Sequence, residues 1–447
     1  MAKKKGNHAK IAILPKEKQP FKVPDNWFWT DIDSINTYSG TAVDPMKSPD
    51  TTYELYSVPS SANDFPEIIS GSEIGSSKQS VIKNDVLLCK INPRINRVWK
   101  VSQHTENELL ASSEWIVIRN QILNSDYMMF CFRTQFFREY MLSNVSGVGG
   151  SLMRAQPKFV KSYPIPIAPI AEQQRIVDRI ESIFAKLDEA KEKAQAVVDG
   201  FELRKSAILH KAFTGELTAK WREAHGLTLD SWENETSTQL FSYVTSGSRG
   251  WAQYYSDSGS VFVRMGNLGH GTVELDMEDV QYVNLPSKAE GQRSKLQKND
   301  ILISITADIG MIGLVRNVDQ DMYINQHIAL ARPTEENNAE FIAWYLVSDV
   351  GLKQMQSKQR GATKIGLGLD DIRNLKLLMP QVNEQAEIVS ILDSLLAKET
   401  AAKEAAEAVL DQIDTMKKAV LARAFRGELG TNDPTEESAV ELLKMML

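Results

Sequence analysis

Hydrophobic side chains recur at alternating steps of four and three along two stretches of the chain. The first series runs Ile176, Ile180, Ile183, Leu187, Ala190, Ala194, Val197, Phe201, Arg204, Ile208. The second runs Ile388, Leu392, Leu395, Glu399, Ala402, Ala406, Val409, Ile413, Met416, Val420. A mean period of about 3.5 residues over such a length predicts two long helices, each with a seam for a partner helix. Neither stretch contains proline, and both are rich in Ala, Glu, Lys and Leu. Pro169 and Pro380 stand just before the starts, and glutamates occupy the first turns, where the helix dipole favours them. Gly215 and Gly427 sit where a glycine cap belongs. About 42 residues at 1.5 Å each make a helix roughly 60 Å long. Gly200 is the expected weak point of the first helix, at about 1 kcal/mol.

The two stretches are copies of one another. Residues 172–217 and 384–429 align at a constant offset of 212 without a gap, and 22 of 46 positions are identical. Each helix is therefore expected to pack antiparallel against the other copy. Ala190 and Ala194 would then face Ala402 and Ala406, so that the backbones approach closely. The alternative keeps the helices separate, each packed on its own globule.

Outside the helices the pattern changes to short apolar runs. Residues 81–90 and 115–119 have strand composition, separated by loops rich in Ser, Gly and Asn. Asn84-Asp85 reads as a turn into a buried strand, and residues 125–143 read as helical and aromatic. A glycine loop, Gly147-Val148-Gly149-Gly150-Ser151, precedes a proline-rich entry into the first long helix. The same plan returns: Asn299-Asp300, residues 339–357, and Gly361-Ala362-Thr363. The fold class is α+β: two similar mixed α/β globules, 1–171 and 226–383, separated by two long antiparallel helices forming a coiled coil. Those helical segments span 172–225 and 384–447, the latter with an acidic tail, and the whole has an internal pseudo-two-fold. Residues 1–20 read as a loosely attached tail.

Net charge is −7 over 447 residues, which alone argues against a nucleic-acid partner. Its distribution alters that: +4 over 1–171, 0 over 172–225, −5 over 226–383 and −6 over 384–447. Any DNA contact must use local patches or a basic partner that shares the phosphates. Two cysteines, Cys89 and Cys131, are too few for a disulfide framework and read as buried thiols of a cytoplasmic protein. No apolar run is long enough to span a membrane.

The paired Glu-Gln-x-x-Ile-Val starts, three residues after Pro169 and four after Pro380, and the Ala-Phe-x-Gly-Glu-Leu ends carry a resemblance. With Ser248-Arg249-Gly250-Trp251 and Tyr323-Ile324-Asn325-Gln326-His327, the chain resembles the specificity subunit of type I restriction–modification systems. The resemblance implies two target recognition domains, each reading half of a bipartite double-stranded DNA site. It implies a helical spacer that docks two methyltransferase subunits, with restriction subunits joining them. It also implies that this chain is not an enzyme and binds no cofactor, S-adenosylmethionine, ATP and Mg belonging to the partners.

Candidate DNA-reading residues are those with donors able to reach base edges or phosphates. In the first globule they are Lys90, Asn92, Arg94, Asn96 and Arg97, then Ser151, Arg154 and Gln156. In the second they are Ser246, Ser248, Arg249, Trp251, Tyr254, Arg264, Asn267, Thr363 and Lys364. Against an enzyme stands the lack of a phosphate loop. Asn92-Pro93-Arg94-Ile95 also lacks the second proline and the aromatic of an amino-methyltransferase motif. The competing readings are a fused restriction–methylation enzyme and a coiled-coil scaffold joining two adaptor domains.

Overall fold

Two asparagines with left-handed backbone, Asn84 (φ 73°) and Asn299 (φ 71°), turn the chain into two fully buried strands, Val86–Cys89 and Ile301–Ser304. The next residue of each turn ties it down. Asp85 accepts from the Ile82 amide and pairs with Arg119 at 2.7 Å; Asp300 accepts from the Gln297 amide and pairs with Arg332 at 2.7 Å. Each arginine also lies over a tyrosine ring, Tyr38 and Tyr243 respectively. The Asn-Asp echo in the sequence is thus one brace built twice.

The computed structural model describes residues 13–147, 153–286, 292–359 and 366–442. They form two units, one from 1–194 and 408–447, the other from 195–407. The division falls inside both long helices, so each unit holds one globule, the start of one helix and the end of the other.

In the first unit Val86–Cys89 lies between Val98–Lys100 and Trp115–Ile118, both antiparallel to it. A second sheet orders its strands Ala42–Val43, Lys78–Ser80, Glu108–Ala111, Thr52–Tyr56, Glu67–Ser70. Helices Ser125–Phe132 and Gln135–Ser143 cover the core; the expected helical stretch breaks between them, where Thr134 caps the second. Phe28–Asp31 pairs with Pro164–Ile167 at the root of the first long helix. The second unit repeats this. Ile301–Ser304 lies between Ile312–Leu314 and Ile328–Pro333, helices Ala339–Val347 and Asp349–Ser357 follow, and Glu233–Thr236 pairs with Lys376–Met379.

The Glu-Gln of each helix start locks globule to helix. Glu172 accepts from the indole of Trp27 at 2.7 Å, and Glu384 from the indole of Trp232 at 3.0 Å. Gln173 accepts from the Asn124 amide and donates to the Ala168 carbonyl; Gln385 accepts from the Asn338 amide and donates to the Pro380 carbonyl. Asn124 and Asn338 are in turn the caps of the helices that follow them. The apolar residues after the motif, Ile176, Val177 and Ile180, and Ile388, Val389 and Leu392, enter the two cores.

The long helices run Ile170–Asp199 with Phe201–Phe213, and Val382–Ala424. The first breaks at Gly200, as expected. A Cβ there would meet Arg204 Nη1, whose guanidinium folds back to donate to the Val197 carbonyl. Gly215 (φ 79°) and Gly427 (φ 74°) turn the chain off the helix ends. In the first unit Lys417 pairs with Asp188 and covers the Phe184 ring. In the second Arg204 donates to Glu399 at 2.6 Å, and Lys403 lies 4.9 Å from the Phe201 ring centre.

Two expectations change. Val409 and Met416, expected in the seam, are 41% and 45% exposed. Lys403, Leu410 and Lys417 are more covered, and the two lysine ammonium groups lie over the Phe201 and Phe184 rings as cation–π contacts. The described part of the N-terminal tail is docked: the Leu14 amide donates to the Trp29 carbonyl, and Phe21 packs edge-on to Trp29 and Phe136.

Candidate nucleic-acid interface

The central strand of the first unit delivers the first candidate loop. Cys89 is the last buried residue; Lys90 follows, its amide held by the Glu114 carbonyl. The chain then turns sharply through Asn92 (φ 47°) and Asn96 (φ 53°), both left-handed, around the 3-10 turn Pro93–Ile95. The second candidate segment is laid against the first. Ile91 bridges Arg154, the Asn92 amide donates to the Met153 carbonyl, and the Ala155 amide to the Lys90 carbonyl. Two clusters some sixty residues apart in sequence therefore form one edge, with Arg94 exposed and Lys90, Arg97 and Gln156 half-buried. Arg154 is exposed and pairs with Glu114 at 3.3 Å. The Asn96 side chain donates to the Phe132 carbonyl and so fastens the turn to a helix end.

The second unit builds the same elbow. Residue 307 is Ala with φ 63°, and its neighbour Thr306 bridges Gly366 as Ile91 bridges Arg154. Ile305 donates to the His327 carbonyl and accepts from the Leu367 amide. His327 Nδ1 lies 2.6 Å from the Thr306 hydroxyl, and its Nε2 lies 2.8 Å from Gln326 Nε2. Ser248 bridges Asn325, so the candidate loop after strand Phe241–Ser246 reaches the same edge. Gly247 is required there, because a Cβ would overlap the Ile324 and Asn325 carbonyls. Ser246 and Ser248 are half-buried and Arg249 exposed.

Two candidates are structural instead. Trp251 is 5% exposed and packs with Phe262, Val283 and Tyr323, so its ring is unavailable to a base. Asn267 is 4% exposed; it donates to the Asp276 and Asp279 carbonyls and accepts from the Arg264 amide, closing a loop upon itself. Tyr254 packs half-buried on the Trp251 cluster, and Arg264 pairs with Asp279 at 3.0 Å. Ser151, Thr363 and Lys364 lie outside the described residues. Sequence reasoning passed over Thr306, since nothing basic marks its loop; the signal was its place after the strand that Asn299-Asp300 announces. Both cysteines are free and buried. Among the described residues, no three His, Cys, Asp or Glu side chains are grouped to hold a metal ion. No described helix is long and apolar enough to cross a membrane.

A family model described as the type I restriction modification DNA specificity domain matches the chain twice, at residues 34–198 and 261–412, more than two thirds of its length. The chain belongs to the type I restriction–modification specificity family. Among family members, the EcoBI specificity subunit of Escherichia coli is 24% identical over 343 residues, covering 72% of this chain and 71% of that protein. The MjaVIII specificity subunit of Methanocaldococcus jannaschii is 20% identical over 435 residues, covering 93% and 95%. In fold, the chain is similar to the HsdS subunit from Thermoanaerobacter tengcongensis, with a TM-score of 0.68 at 19% identity over 92% of this chain and 99% of that one. The two specificity-domain matches contain the two elbows, one each.

Proposed function

We propose that this chain reads a bipartite, asymmetric site in double-stranded DNA, each globule taking one half. The observation that carries this is the elbow shared by both units: beyond each buried strand, a residue bridged to the segment beside a glycine loop is followed at once by a left-handed one, Asn92 and Ala307. A rigid strand holds the reading loop, as base discrimination requires. The residues at these edges differ almost completely between units, which fits two heads reading different sequences. Exposed Arg94, Arg154 and Arg249, with Lys90 and Arg97, supply phosphate and base contacts in this reading. An overall charge of −7 leaves much of the phosphate contact to basic partner subunits.

In the same reading the two long helices form an antiparallel coiled coil that sets the separation of the half-sites. Asp188 with Lys417 and Arg204 with Glu399 support it: residue numbers rise on one helix as they fall on the other. The exposed flank of that pair docks two methyltransferase subunits, which carry S-adenosylmethionine, and restriction subunits with ATP and Mg join them. The chain itself is non-catalytic. Methylome sequencing of a host expressing the chain with its partner methyltransferase tests this. Loss of N6-methyladenine at one bipartite motif on deletion of the chain is the expected result. An unchanged methylome sinks the proposal and leaves a scaffold joining two adaptor domains.

A further inference from the structure

Gln326, His327 and Thr306 form a chain of three side chains at the elbow of the second unit. An amide nitrogen only donates, so Gln326 Nε2, 2.8 Å from His327 Nε2, requires a lone pair on that ring nitrogen. The ring proton then sits on Nδ1 and is given to the Thr306 hydroxyl at 2.6 Å. Backbone bonds fix the segment as well: the His327 amide donates to Asn325 Oδ1, its carbonyl accepts from Ile305, and the Ile328 amide donates to the Asn325 carbonyl. The ring contact and these backbone bonds hold the Gln326 amide in place. One N–H goes to His327, while the second N–H and Oε1 have no partner among the described residues. Beside it, Ala307 keeps a left-handed backbone that alanine rarely adopts, held by the bonds of Ile305 to His327 and Leu367.

We propose that Gln326 reads an adenine·thymine pair in the major groove, and that His327, itself held by Thr306, is the residue that positions its amide. This rests on the DNA-reading function above. A neighbouring donor and acceptor on one planar group match adenine N7 and the N6 amino group; guanine offers two acceptors there and would repel Oε1. An unheld glutamine side chain samples many positions, so the contact with His327 places the amide where it can pair.

The test is the motif methylated in a host carrying the full chain and its methyltransferase partner, compared among wild type, Q326A, Q326E, T306V and T306S. Q326A should relax one A·T position in one half-site by about tenfold or more, leaving the other half-site intact as an internal control of folding and assembly. Q326E should move that position toward a C·G pair, because a carboxylate accepts from the cytosine amino group. T306V should relax the same position, and T306S, which keeps the hydroxyl, should restore it. A wild-type motif that all four variants leave unchanged overturns the inference while the DNA-reading function stands. Absence of any motif dependent on the wild-type chain sinks that function itself. If Q326A abolishes methylation, Q326E decides: return of the motif with C·G at that position supports the assignment, and a second complete loss overturns it.

Discussion

Glu384 is ion-paired with Arg222, whereas Glu172, its counterpart 212 residues earlier, is held by uncharged donors. Both carboxylates are buried and both accept from a tryptophan indole. Around Glu384 the remaining partners are Thr218 and the Arg222 guanidinium; around Glu172 they are Thr431 and Asn432. The repeat kept the acceptor and changed the charge opposite it. Glu384→Gln strands a buried guanidinium and should cost about 3–5 kcal/mol. Glu172→Gln leaves an amide oxygen for Trp27 and should cost about 1 kcal/mol or less. Urea unfolding of the full-length variants checks the contrast, and equal losses would refute it.

Burial of carboxylates also gives a pH dependence. Burial holds the Glu172 carboxyl above the ordinary carboxylate range, outweighing its hydrogen bonds; burial raises Asp300 likewise, against the pull of Arg332. Between the ordinary and the raised value the folded chain binds more protons than the unfolded one. Their contribution is thus complete below the ordinary value and lost as pH rises through the raised one. Stability should accordingly increase on moving from neutral into mildly acidic buffer. Glu172→Gln should flatten that slope, read from unfolding midpoints across the range.

Arg204 and Glu399 occupy seam positions that the hydrophobic pattern assigns to apolar residues. Each single replacement by leucine leaves its partly covered partner without a counter-charge and should destabilise by about 1–2 kcal/mol. The double variant R204L/E399L should recover that loss, because an apolar seam pair replaces the ion pair. A double-mutant cycle by thermal unfolding measures the coupling, and simple additivity of the two losses would show that the pair does not act as a unit.

Arg94 is exposed at the tip of the first elbow. In complex with the methyltransferase partner, Arg94→Ala should weaken duplex binding several-fold. If the contact is to phosphate, the slope of log affinity against log salt should fall by about one, uniformly across sequences. If it is to a base, affinity should fall only for the cognate half-site. Binding titrations at several salt concentrations separate these outcomes, and an unchanged affinity would remove Arg94 from the interface.

The sequence disclosed the repeat, both helices, their glycine ends, and the Asn-Asp turns, because each of these is a local signal at short range. The role of the Glu-Gln motif was hidden, since Trp27 stands 145 residues from Glu172 and nothing local joins them. Trp251 and Asn267 looked like reading residues by type; only tertiary packing shows that one fills a core and the other ties a loop. In the second seam Ile388, Leu392, Ala406 and Ile413 are buried as expected, but Val409 and Met416 are exposed; a hydrophobic pattern passes over Lys403 and Lys417, whose ammonium groups lie over Phe201 and Phe184. Thr306 carries no charge and so gave no sign of the edge to which it belongs.

The core of the first unit contains Leu421, Ala424, Phe425, Ala439 and Leu442 beside Trp27, Ile176 and Ile180. The second unit draws on nothing beyond residue 407. On the ribosome the usual order is therefore reversed. The domain whose synthesis begins first must wait, incomplete, until the final helix has left the exit tunnel, while the domain made later closes before it. A chain stalled or cleaved after residue 407 would carry one finished head and one core open where Leu421, Ala424 and Phe425 belong, which makes that stretch of translation the period in which a chaperone has most to protect.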